Sequence, residues 1–123
     1  MFLVYCHAVI GAENEIIGTA YIVGDIPQNV PLYIEIKLLN VSVADAVATE
    51  VGKQVMGNIS SNAINFSISY DPKEIRRTDT YILEARLLSR SYSGTLFRTT
   101  QAYPVDFDRK EKEHFIQLLD IRN

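Results

Sequence analysis

The fold is decided by a stretch in which every second side chain is apolar: Leu32-Tyr33-Ile34-Glu35-Ile36-Lys37-Leu38-Leu39. A second stretch has the same period: Ile64-Asn65-Phe66-Ser67-Ile68-Ser69-Tyr70. Because successive side chains of a strand point to opposite sides, each stretch predicts a strand with one buried face. Two one-sided strands need a common apolar layer, which is the logic of a β-sandwich or a small barrel.

Outward from these stretches, similar short runs are separated by turn residues. The predicted strands cover residues 15–23, 32–43, 47–56, 63–70, 80–90, 95–103 and 115–121. Gly52 marks its run as an edge strand or a bulge, and Asp71 before Pro72 predicts one capped helical turn. Turn signals recur every ~8–12 residues. The sequence therefore predicts an all-β fold: a single antiparallel β-sandwich of seven to eight short strands with at most one short helical turn, forming one domain over residues 1–123.

Composition narrows the function classes. Of 123 residues, 47% are hydrophobic and 22% are charged, which is typical of a globular domain. A net charge of −3 provides no basic face for nucleic acid. The single cysteine, Cys6, cannot form an internal disulfide or a zinc site, and His7 and His114 lie far apart in sequence. We therefore predict neither a metal nor a cofactor.

Residues 1–12 allow three interpretations, because the first ten are almost wholly apolar. They could form an N-terminal strand or arm packed on the sandwich, or they could be the remnant of a signal peptide. The third interpretation makes Cys6 a lipid-bearing cysteine. The run Leu3-Val4-Tyr5-Cys6 partly resembles a bacterial lipobox, although that motif has a small residue where Tyr5 stands.

Motifs of catalysis are missing from the sequence. There is no glycine-rich phosphate loop and no Gly-x-Ser-x-Gly turn. Cys6 and His7 are strand neighbours that point apart, so they do not form a catalytic pair. Asp45 lies among small apolar residues, where a short carboxylate more often fixes a bend than performs catalysis. These observations favour a protein that binds a partner and is not an enzyme.

Four apolar residues fall on the strand faces that the alternation assigns to water: Tyr33, Leu39, Ile82 and Leu88. If a second layer covers that face, they are the other core face of sandwich strands. If it is uncovered, they form a patch for an amphipathic helix or an added strand from a partner. We take these four residues as the candidate partner-binding site.

Several segments, in order, resemble the YbaY/YscW-like lipoprotein family over about residues 15–120. The resemblance is carried by Ile17-Gly18-Thr19-Ala20-Tyr21, Ile26-Pro27, Leu38-Leu39-Asn40-Val41-Ser42-Val43-Ala44-Asp45-Ala46, Ile64-Asn65-Phe66-Ser67-Ile68-Ser69-Tyr70-Asp71-Pro72, Tyr81 through Arg86, and Ala102-Tyr103-Pro104-Val105. The Ser-x-Ala-Asp-Ala run and the strand that ends in Asp-Pro are the more specific of these segments.

The resemblance implies a small bacterial β-sandwich lipoprotein on the periplasmic side of the outer membrane. One branch of the family consists of pilotins, which chaperone a secretin subunit of type III secretion. By that resemblance we expect a protein client, such as the C-terminal segment of a secretin, and membrane contact only through a lipid anchor. If the N-terminus is complete as given, the expected location is the cytoplasm. The alternative function is a soluble β-sandwich domain that binds a small molecule or a glycan.

Overall fold

The structure, a computed structural model, describes residues 14–42, 46–91, 94–109 and 112–122. Cys6, Asp45 and the interpretations of residues 1–12 therefore lie outside the described residues. The strands, numbered along the chain, are β1 (Glu15–Val23), β2 (Leu32–Asn40), β3 (Thr49–Gly57), β4 (Ala63–Ser69), β5 (Tyr81–Ser89), β6 (Thr95–Arg98), β7 (Tyr103–Pro104) and β8 (His114–Asp120). One 3₁₀ turn, Pro72–Glu74, lies between β4 and β5.

The strands form one sheet in the order β3-β2-β5-β6-β8-β1-β4, and β7 pairs with β5 beside β6. This confirms the all-β prediction with one short helical turn. The two layers of the predicted sandwich belong to a single sheet, which curls around the core into a barrel-like shape. One pair differs from the predicted antiparallel arrangement: β1 and β8 run parallel, with Gly18 opposite His114 and Val23 opposite Leu119.

The two edge strands of the sheet, β3 and β4, meet at a seam. The side-chain oxygen Oε1 of Gln54 accepts a hydrogen bond of 2.7 Å from the backbone N–H of Ser67. A Cβ built on Gly52 would lie 2.9 Å from the carbonyl oxygen of Ser69, so only glycine allows this approach. The seam therefore nearly closes the barrel, with a side chain in place of a backbone ladder bond.

The core is built from the alternating stretches that predicted the fold. Leu32, Ile34, Ile36 and Leu38 are at most 2% exposed, and they belong to one buried cluster with the apolar side chains of β4 and of the neighbouring strand β5. Burying a side chain of this size contributes roughly 1.5–3 kcal/mol relative to leaving it in water. The period-two prediction is thus confirmed for both deciding stretches.

The predicted strand over residues 95–103 is interrupted, because Thr99 leaves the ladder. Its hydroxyl oxygen accepts a 3.2 Å hydrogen bond from the N–H of Ala85, and its own N–H donates to the carbonyl oxygen of Ala85 at 3.1 Å. These two bonds satisfy the backbone N–H and carbonyl groups of Ala85 on β5, although β6 does not continue beside it. The chain then loops outward before Tyr103 pairs with Leu83.

The predicted helical turn after β4 is confirmed together with its cap. A side-chain oxygen of Asp71 accepts a 3.0 Å hydrogen bond from the N–H of Lys73, and Pro72 occupies the first position of the turn. The hydroxyl of Tyr81 accepts a 2.9 Å bond from the N–H of Arg76 and so anchors the loop to the start of β5.

Candidate functional site

The four candidate residues lie on one outer face of the sheet. Because β2 and β5 pair in antiparallel register, Tyr33 stands opposite Leu88 and Leu39 stands opposite Ile82. Tyr33, Ile82 and Leu88 are partly buried, whereas Leu39 is only 8% exposed. The structure therefore brings the four together as two apolar pairs, one toward each end of the β2–β5 face. We use that name for the outward side chains of these two strands.

Charged residues fill the centre of the β2–β5 face. Glu35 stands opposite Arg86, and Lys37 stands opposite Glu84. Arg86 Nη2 lies 2.7 Å from Glu35 Oε1, and Lys37 Nζ lies 3.9 Å from the same oxygen. The hydrogen bond from Arg86, with the charges of Lys37 and other basic neighbours, lowers the pKa of Glu35 against the effect of burial. Glu35 is therefore ionised at neutral pH, and its pairs hold this face in a fixed arrangement.

Two open depressions adjoin the apolar pairs. The larger one, about 340 Å³, is lined by Ile82, Glu84, Arg98 and the loop after β6. The other, about 300 Å³, is lined by Tyr33, Pro31, the end of β3 and Arg90. Each apolar pair thus contributes one side chain to a hollow that could receive a partner's side chain. Binding of a small molecule or glycan in such a hollow stays a prediction.

A second apolar surface escaped the sequence analysis. Five of the seven large hydrophobic residues exposed in the described part of the chain lie on the outer faces of β1 and β8: Ile17, Tyr21, Val23, Phe115 and Leu119. We call these five the β1–β8 apolar patch. The rings of Tyr21 and Phe115 stack with centroids 6.3 Å apart. Both faces of β1 are apolar, so its alternation could not show which face looks outward.

His114, at the start of β8, is a buried titratable group beneath this patch. It is 9% exposed, and its Nδ1 has no hydrogen-bond partner among the described residues. Burial lowers its pKa, a hydrogen bond with the backbone of Ile17 partly offsets that effect, and the charge of Lys112 adds to the lowering. The folded protein therefore prefers neutral His114.

We expect the folded protein to lose stability between pH 7.5 and pH 5 through His114. The unfolded chain binds this proton near the ordinary pKa of 6.5, whereas the folded state resists it, so stability falls as the pH drops below 6.5. The loss cannot exceed about 1.4 kcal/mol per pH unit for one proton. Urea unfolding at several pH values measures it.

His114→Gln is the control for this pH dependence. The variant should show a flatter pH dependence above pH 5, because the carboxylates with lowered pKa, Glu35 and Asp120, destabilise the fold only below their ordinary values of 4.5 and 3.8. Equal slopes for the two proteins would contradict the assignment to His114.

Neither a metal cluster nor a membrane helix is found in the part of the chain that the structure describes. No group of three or more His, Cys, Asp or Glu side chains is placed there to hold a metal ion. No helix among the same residues is long and apolar enough to cross a membrane.

Comparison with known proteins identifies the family. An alternative pilotin from the type II secretion system of Vibrio cholerae has the same fold, with a TM-score of 0.72 and 22% sequence identity. The match covers 89% of this chain and 97% of that chain. No curated protein matches the sequence. The family model YscW, described as type III secretion system lipoprotein chaperone, matches residues 12–118. The chain therefore belongs to the YscW family of type III secretion lipoprotein chaperones.

Proposed function

We propose that this protein is a pilotin-like chaperone that binds a secretin subunit and assists its assembly in the outer membrane, without catalysing a reaction. The observation that carries the proposal is the YscW family match over residues 12–118. The protein works on the periplasmic side of the outer membrane, where Cys6 is the candidate site of a lipid anchor. Its client is an amphipathic segment at the C-terminus of the secretin.

We assign the client to the β2–β5 face. Tyr33 and Leu39 are six residues apart on β2, so the two apolar pairs are separated by roughly 20 Å. A client helix covers that distance in about 13 residues. The client should therefore carry two apolar anchors about 14 residues apart, a spacing that keeps both on one side of the helix. Charged residues between those anchors would meet the centre of the face, where Glu35, Arg86 and Lys37 lie.

The test is binding of the secretin's C-terminal peptide to the Leu88→Asp variant. Leu88 is partly buried at one end of the face, so a carboxylate there places a desolvated charge against the client's apolar anchor. We expect the affinity to fall at least tenfold, about 1.4 kcal/mol or more. Isothermal titration calorimetry with the full chain measures the affinity, and circular dichroism checks the fold.

Leu119→Asp is the matched control. It makes the same chemical change at a residue that is 38% exposed on the other apolar surface, and it should leave the affinity unchanged. Loss of binding in Leu119→Asp with none in Leu88→Asp would contradict the assignment to the β2–β5 face. Absence of binding by the unchanged protein would contradict the secretin as client. Leu39→Asp is unsuitable, since a charge at an 8% exposed position would also destabilise the fold.

A further inference from the structure

The β1–β8 apolar patch lacks a cover among the described residues, and the proposed lipid anchor joins the chain close to it. We propose that this patch lies against a phospholipid bilayer, so that the folded domain contacts the membrane as well as its anchor. The inference rests on the proposed function, because it takes Cys6 as the lipid-bearing residue. It concerns a surface of the protein that the proposed client does not use.

The tether between the anchor and the domain is short. Asn14, the residue before β1, is eight residues after Cys6, and a fully extended chain of that length spans at most about 29 Å. A compact domain of 123 residues has a diameter of roughly 35 Å. The carbonyl oxygen of Asn14 is fixed to the sheet, because it accepts a 3.1 Å hydrogen bond from the N–H of Tyr70. Whatever path the tether takes, it holds the start of β1 near the bilayer.

The patch carries side chains that suit the boundary between lipid headgroups and acyl chains. Phe115 is 56% exposed, Val23 is 45% exposed and Tyr21 is 41% exposed. Tyrosine is enriched at this boundary, because its ring is apolar and its hydroxyl can stay in the headgroup layer. A bilayer could therefore cover these side chains without a shaped groove in the protein.

No charge would be buried by such a contact. The outer faces of β1 from Ile17 to Val23 and of β8 from Phe115 to Leu119 contain no charged residue. On β4 the residues in register with that part of β1 are Ala63, Asn65 and Ser67, which are also uncharged. The β2–β5 face, in contrast, has an ion-paired cluster at its centre. Because removing a charge from water costs far more than removing a neutral group, a bilayer favours the uncharged face.

An arginine at the rim of the patch provides a contact for lipid phosphates. Arg98 on β6 stands opposite Leu119, is exposed, and forms no ion pair with any residue that the structure describes. Its apolar stem can lie along the bilayer while the guanidinium reaches the headgroups. Acidic Glu15 and Glu113 flank the opposite end of the patch. We therefore expect the end with Arg98 to lie closest to the phosphates.

The position of the patch in the barrel leaves the client surface free. In the strand order, β2 lies three strands from β1 in one direction and three strands from β8 in the other, since β3 and β4 meet at the seam. The patch and the β2–β5 face are thus on roughly opposite sides of the barrel. A bilayer on the patch would orient the client surface away from the membrane.

The experiment uses the absence of tryptophan and the single cysteine in the sequence. The full chain carrying Phe115→Trp is attached through Cys6 to vesicles of phosphatidylethanolamine and phosphatidylglycerol that contain a maleimide-bearing phospholipid. The thiol adds across the maleimide double bond, and the resulting thioether replaces the natural lipid anchor. Part of the phospholipid is brominated on its acyl chains, which quenches tryptophan inside the bilayer. We expect fluorescence at least twofold lower than on vesicles without bromine.

Val55→Trp is the matched control. Val55 is 52% exposed on β3, close to the exposure of Phe115, but it lies outside the patch, and its tryptophan should not be quenched on the same vesicles. Adding Leu119→Asp to the Phe115→Trp chain places a carboxylate in the contact. This second change should restore at least half of the lost fluorescence at unchanged circular dichroism.

Equal quenching in the two single variants would overturn the proposal, and so would the absence of quenching in Phe115→Trp. An emission maximum of Phe115→Trp that shifts to the blue with protein concentration in lipid-free solution, without quenching on vesicles, would indicate that a second copy covers the patch. That result would also overturn the proposal. Binding of the secretin peptide is measured without lipid, so either proposal can fail while the other stands.

Discussion

Replacing Phe97 with alanine is expected to lower the free energy of unfolding by about 3–5 kcal/mol, the largest effect of any single truncation in this core. Phe97 is fully buried, and its β6 strand has only four residues. In register it stands opposite Leu87 on one side and Asp120 on the other. The guanidinium carbon of Arg122 lies 4.9 Å from the centre of the ring. Phe97 therefore packs where the two halves of the sheet are joined.

Urea unfolding measures this loss, with Phe115→Ala as the control. The control deletes the same atoms from a side chain that is 56% exposed, so it should cost less than about 1 kcal/mol. In thermal unfolding, Phe97→Ala should lower the Tm by roughly 10–15 °C. Similar losses in the two variants would show that burial at β6 does not decide the stability of the sheet.

The second large effect is expected from Gly18→Ala on β1. A Cβ at this position would lie 2.1 Å from the backbone carbonyl oxygen of His114 and 2.7 Å from Cζ of Phe66. The carbonyl belongs to β8, which pairs with β1, so it cannot withdraw without loss of ladder hydrogen bonds. We expect a loss of about 3 kcal/mol or more, the upper range for overpacking.

Gly57→Ala provides the matched control for Gly18→Ala. No heavy atom lies within 4 Å of a Cβ built on Gly57 at the end of β3. The free energy of unfolding of the Gly57→Ala variant should stay unchanged or rise by about 0.5 kcal/mol, because alanine loses less conformational freedom on folding than glycine does. Chemical unfolding of both variants gives the comparison. A Gly18→Ala protein as stable as the unchanged chain would contradict the close packing of β1 against β8.

Features that depend on local periodicity could be predicted from the sequence. The alternation from Leu32 to Leu38 indicated both the strand and its buried face. In a strand with a period of two, the apolar residues all lie on one face, and that face must point toward the core. The Asp71 cap was equally predictable, since the side chain bonds a backbone N–H two residues away. Gly52 predicted an edge strand or a bulge, and β3 is an edge strand whose pairing with β2 shifts register between Leu38 and Leu39.

Features that depend on which strands become neighbours could not be predicted. Both faces of β1 carry apolar residues, and only its pairing with β8 places Tyr21 beside Phe115 on the surface. The four residues of the proposed partner site were found together because β2 and β5 pair in register. Their exposures could not be ranked, so nothing in the sequence showed that Leu39 is nearly covered.

The position of β8 has a consequence for how the chain is made. The last of the described strands in chain order, β8, lies between β6 and β1, in the interior of the sheet and not at its edge. A nascent chain that has not yet released residues 114–120 lacks the hydrogen-bonding partner of its own first strand, about a hundred residues earlier. The sheet therefore cannot be completed on the ribosome until residues 114–120 have emerged.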